Sequence, residues 1–148
     1  MGIFDKVLGG KGGADAPFNK QEAFTGVLLS AIAADGVITP EEMQNFGTAV
    51  CRMRLYKGMN GSSFSSMADK LINLMRKNGL EFVLDKSIAG LPAELKETAF
   101  AAAADLVFAD GSIEKEEKVL LEKLYKALGI ADDLAVKILE VIEIKNRG

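Results

Sequence analysis

Two stretches of this chain carry the same carboxylate spacing, AADGVITPEE from Ala33 to Glu42 and FADGSIEKEE from Phe108 to Glu117, offset by 75 residues. Ala34, Asp35, Gly36, Ile38, Glu41 and Glu42 recur as Ala109, Asp110, Gly111, Ile113, Glu116 and Glu117. Carboxylate oxygens suit hard cations, and the chain offers no histidine and a single cysteine to softer ones. The candidate ligands are therefore Asp35, Glu41, Glu42, Asp110, Glu116 and Glu117, and the candidate cations Ca²⁺ or Mg²⁺, with Mn²⁺ behind them. The windows 35–42 and 110–117 each carry net −3 against −3 for the whole chain, so the remainder is net +3 and the acidity is local.

Spacing limits how such a site can be built. With Asp35 at the fifth position of an EF-hand loop, Gly36, Ile38 and Glu42 take the glycine, apolar and bidentate positions, and the second copy follows suit. The first and third ligand positions then fall on Ala31 and Ala33, and on Leu106 and Phe108, which have no side-chain oxygen. A working EF-hand is excluded in both copies. A cation site would have to pool carboxylates from the two turns, completed by carbonyls or water. The competing reading is local: Asp-Gly is ordinary turn chemistry, and acids in a first helical turn cap free N–H groups and complement the helix dipole. Glu42 cannot serve wholly as a cap and wholly as a ligand.

Other chemistries fare worse. Without histidine there is no Ser-His or Cys-His nucleophile pair. Cys51 is expected to be a small buried thiol beside an apolar helical stripe. GGKGG, residues 9–13, lacks the spacing of a phosphate loop and follows no strand. No catalytic partners accompany the carboxylates, so the chain reads as a non-enzyme. A net charge of −3 and a pI near 5.1 provide no basic field for nucleic acid or an anionic membrane surface.

The elements that must position these residues are helical. The 148 residues, 49% of them apolar, suffice for one buried core. Asp105 and Gly26 interrupt the two most apolar runs, so no direct membrane insertion is expected. One cysteine rules out an internal disulfide and suits a reducing cytoplasm.

Residues 1–17 read as an N-terminal segment, with Ile3, Phe4, Val7 and Leu8 at helical spacing, followed by a Gly-rich linker. The segment is expected to dock on the body or on a partner. Asn19 with Glu22, and Thr39 with Pro40 and Glu42, open helices expected to run to Ala34 and Arg54. KGMNGSS, residues 57–63, reads as a turn-rich connection. Further helices are expected over 65–77, 81–89, 92–109, 114–128 and 132–144. No run alternates with strand period between hairpin turns. The expectation is an all-α single domain over 18–148, of about seven helices, with an internal pseudo-two-fold repeat of halves 18–75 and 93–148.

The opening MGIFDKV, the elements ADGVITPEE and ADGSIEKEE, and the length with its helical pattern resemble the tellurite-resistance protein TerB family. The resemblance spans nearly the whole chain, with little specific signal between Leu55 and Leu91. It implies a compact all-α protein with internal pseudo-symmetry and a cytoplasmic role in resistance to tellurite and other stresses. It also implies metal binding at Asp35, Glu41, Glu42, Asp110, Glu116 and Glu117. No settled enzymatic activity comes with it, and the implied partners are other tellurite-resistance or stress proteins, some at the membrane. The second copy departs from the first where Glu114 and Lys115 replace Thr39 and Pro40, which weakens the cap and lets Lys115 offset part of that half-site.

Overall fold

A computed structural model describes residues 16–36, 38–109, 111 and 113–148. Among the described residues there are seven α-helices and no strands. They are α1 (Lys20–Ile32), α2 (Pro40–Cys51), α3 (Gly61–Asn78), α4 (Leu80–Gly90), α5 (Lys96–Phe108), α6 (Lys115–Ala127) and α7 (Asp132–Lys145). Short 3₁₀ turns at Arg54–Tyr56 and Ala93–Leu95 precede α3 and α5.

α1 is the axis of the molecule. Ala23 to Ile32 are all buried, so the helix is enclosed on every side, as expected of a segment apolar all round. It packs chiefly on α4 and α5, with α3 and α6 beside it, while α2 packs on α5. Small residues set these distances. A Cβ on Gly26 would lie 2.0 Å from Ser87 Oγ of α4, so the two helices are in backbone-to-side-chain contact there. On α5, Ala99, Ala103 and Ala104 are fully buried, which lets α5 approach closely.

Two features hold the first half against this axis. Asn19 Oδ1 accepts the Glu22 N–H at 2.8 Å while Glu22 Oε1 accepts the Asn19 N–H at 3.0 Å, closing the predicted capping box. Lys70 of α3 pairs with the other Glu22 oxygen at 2.6 Å. The Tyr56 hydroxyl, buried, hydrogen-bonds Thr25 Oγ1 at 2.8 Å, and its ring bridges Phe24 and Phe64 edge-on at 6.3 and 5.6 Å. Desolvation pushes the Tyr56 phenol up to about 12.

Four boundaries differ from the sequence reading by two residues or more. α1 stops at Ile32 and α2 at Cys51, where Arg52 caps the helix and Met53 turns extended with ψ 136°. α3 begins at Gly61 rather than 65, because Asn60 Oδ1 takes the Ser63 N–H at 2.7 Å and makes GSS a first helical turn. The first helical residues expected for α5 are instead the 3₁₀ turn at Ala93–Leu95. Residues 1–15 of the N-terminal segment lie outside the described residues. α1 of the first expected repeat half packs directly on α5 of the second.

Candidate functional site

Each acidic turn is built the same way locally. The Gly36 N–H donates to Ala33 O at 2.9 Å, and the Gly111 N–H to Phe108 O at 3.1 Å. Both glycines have positive φ, +93° and +81°, a conformation that a side chain would strain. In the first copy Thr39 Oγ1 accepts the Glu42 N–H at 3.1 Å, and Glu42 Oε1 accepts the Thr39 N–H at 2.8 Å. In the second copy the Glu114 N–H donates to Glu117 Oε1 at 2.8 Å, and the Glu117 N–H to Glu114 O at 3.1 Å. The N3 glutamate thus reaches back to the cap residue in both.

The tertiary fold brings these two helix starts together. Asp35, Thr39, Glu41, Glu42 and Asn45 from the first copy line one cavity of about 180 Å³ with Leu106, Glu114 and Glu117 from the second. Among the described residues no lysine or arginine lines it. Its polar walls are carboxylates, one amide and one hydroxyl, the oxygen set of a hard cation. Glu117 is the most enclosed of them, 4% exposed, whereas Asp35 and Glu41 are open to solvent. Glu42 and Glu117 each give Oε1 to a cap.

Four of the six sequence-identified acids, Asp35, Glu41, Glu42 and Glu117, therefore share this cavity. Asp110 lies outside the described residues. Glu116 is placed elsewhere: it lines a second cavity with Ala34, Leu80, Glu81, Lys115, Val119, Leu120 and Lys123. The reason is helical geometry, since consecutive residues on α6 point about 100° apart, and enclosing Glu117 turns Glu116 toward the opposite wall. Lys115 goes with Glu116, so it does not line the acidic cavity that it was expected to offset. Among the described residues no three acidic or thiol side chains converge closely enough to hold one metal ion.

Besides Thr39 and Leu106, two lining residues were not among the sequence-identified acids, Asn45 and Glu114. Both carry a usable signal, three positions after Glu42 and three before Glu117, which is the spacing that puts side chains on one helical face. Cys51 is also corrected. It is exposed, with Sγ directed at Thr48 O at 3.3 Å. It is the last residue of α2, just beyond the buried Val50, so the helix ends before any neighbour covers it.

Among the described residues no helix is long and apolar enough to cross a membrane. No family model, curated protein or solved structure matches the chain.

Proposed function

We propose that this chain is a non-enzymatic, cytoplasmic stress-response protein of the TerB type. It binds a divalent cation, Ca²⁺ or Mg²⁺ ahead of Mn²⁺, between its two acidic turns and acts through other tellurite-resistance or stress proteins. The observation that carries the reading is the shared cavity: acids 75 residues apart in sequence line one space of about 180 Å³. The cation would be held by Asp35, Glu41, Glu42 and Glu117, with Asp110 added from the second turn, and water completing the shell. Its role is structural and regulatory. It offsets the mutual repulsion of the carboxylates and ties the starts of α2 and α6 together, fixing a surface that a partner reads.

A second reading has its own support. The Glu42 and Glu117 Oε1 atoms already serve as cap acceptors, and no described group of three acids converges. On that reading the chain is a helical interaction module and the acidic turns are helix starts only.

Calorimetric titration of chelator-treated protein with each cation, repeated on an Asp35→Asn, Asp110→Asn variant, separates the two. Heat and a raised melting temperature that vanish in the variant support the cation site. Neither signal at millimolar Ca²⁺, Mg²⁺ and Mn²⁺ overturns it in favour of the interaction module.

A further inference from the structure

Among the described residues four large apolar side chains stand mostly in water, and three of them, Val136, Val141 and Ile144, belong to α7 at 54, 63 and 58% exposed. α7 packs chiefly on α5, and of its 14 residues Ala135 is the one that is buried. Its rotation is fixed near the C-terminal end, where Asp105 of α5 accepts hydrogen bonds from Lys145 Nζ at 3.1 Å and Asn146 Nδ2 at 2.8 Å. Which side of α7 faces outward is therefore set by the fold.

Two patterns on that side point to what covers it. Leu134, Lys137, Val141 and Ile144 follow the alternating three-and-four spacing of a seam that meets another helix. Lys137 fits such a seam because its aliphatic stem covers apolar surface while its ammonium reaches the edge. The second pattern is charge. Asp133, Lys137, Glu140 and Arg147, all exposed, follow one another beside and within the seam, acidic at its start and basic at its end.

We propose that a second copy of the chain covers this seam, its α7 running antiparallel about a two-fold axis at the level of Leu139. Leu134 of one copy then lies opposite Ile144 of the other, and Lys137 opposite Val141. Like edges face each other in an antiparallel pair, so Asp133 meets Arg147 at either end. At the centre the two Glu140 carboxylates alternate with the two Lys137 ammonium groups. A parallel pair instead sets each of these charges against its own copy, which repels. The charge order thus selects the antiparallel arrangement, an isologous two-fold contact. The 14 residues make about 21 Å of helix, so the contact is small and belongs with transient interfaces. The dissociation constant expected is on the order of 100 µM.

Sedimentation equilibrium of the full-length protein, from about 10 µM to about 1 mM, reads monomer passing to dimer. Val141→Glu and Ile144→Glu each weaken association at least tenfold with the far-ultraviolet helical signal intact. Val136→Glu, about 140° round the helix from Val141, leaves it unchanged. Asp133→Lys or Arg147→Glu alone weakens it severalfold, and the two in one chain restore it. Direction is read by disulfide formation in a Cys51→Ser background. Glu140→Cys links to its own kind, whereas Asp133→Cys links only to a chain carrying Arg147→Cys. Monomer throughout the range overturns the proposal and leaves the face to a different protein. So does a dimer that survives Val141→Glu and Ile144→Glu, or one lost equally in Val136→Glu, since either places the contact elsewhere. Asp133→Cys linking readily to its own kind makes the helices parallel and overturns it as well.

Discussion

Glu117 is the residue at which capping and cation binding can be told apart. It is 4% exposed, its Oε1 takes the Glu114 N–H at 2.8 Å, and it shares its cavity with four other carboxylates. Glu117→Gln keeps an amide oxygen for that N–H and removes only the charge. Glu117→Ala removes the acceptor as well, at about 1 kcal/mol for the lost cap. For a chain of this size each kcal/mol moves the melting temperature by about 2–4 °C. In chelator-treated protein, Glu117→Ala should melt about 2–4 °C lower, or further where the lost packing adds to it. Glu117→Gln should match or exceed the parent, because one buried charge among like charges is gone. Calcium at ten times its dissociation constant adds about 1.4 kcal/mol to the parent, a rise of about 3–6 °C. Glu117→Gln should lose most of that rise. Differential scanning calorimetry with and without calcium reads all four values. The reasoning fails if Glu117→Gln falls as far as Glu117→Ala without cation, since the charge and not the cap would then be the structural element. It also fails if Glu117→Gln keeps the full calcium-induced rise.

Three further outcomes follow from the packing. Gly26→Ala drives a methyl to within 2.0 Å of Ser87 Oγ and breaks its bond to Val83 O, against a gain of about 1 kcal/mol in helix propensity. Overpacking of this kind should leave a net loss of about 1–3 kcal/mol in urea unfolding, and Ser87→Ala added to it should restore most of that; additive losses would show that the two side chains do not meet. Tyr56, raised to about 12 in the folded protein, contributes stability that is complete below about pH 10 and is lost as pH rises through about 12. Tyr56→Phe should cost about 1 kcal/mol at neutral pH, by leaving Thr25 without its hydroxyl partner, and should flatten that alkaline limb; an unchanged pH profile would remove Tyr56 as its source. The Cys51 thiol should react stoichiometrically with a disulfide reagent in the native protein, whereas a reaction that waits for denaturant would mean that the thiol is covered.

Much of the local architecture was legible from short-range chemistry. Asn19 with Glu22, and Thr39 with Pro40 and Glu42, announced two helix starts that the structure closes with the expected reciprocal bonds. The start at Asn60 was not legible, because Gly61, Ser62 and Ser63 are weak helix formers and only the Asn60 cap makes their turn helical. Cys51 misled for a related reason: it adjoins a buried stripe in sequence, but the helix ends there.

By itself the sequence determined the all-helical class and most helix starts, together with two glycine turns bearing three and four acids. Those follow from hydrogen bonds and periodicities that act within four residues, so each segment carries its own instructions. Which acids meet was decided only in three dimensions. Enclosing α1 between α4 and α5 sets the two acidic turns against one cavity, and the rotation of α6 that buries Glu117 sends Glu116 to the other side. That choice depends on how side chains distant in sequence fill a common core, and no local pattern encodes it.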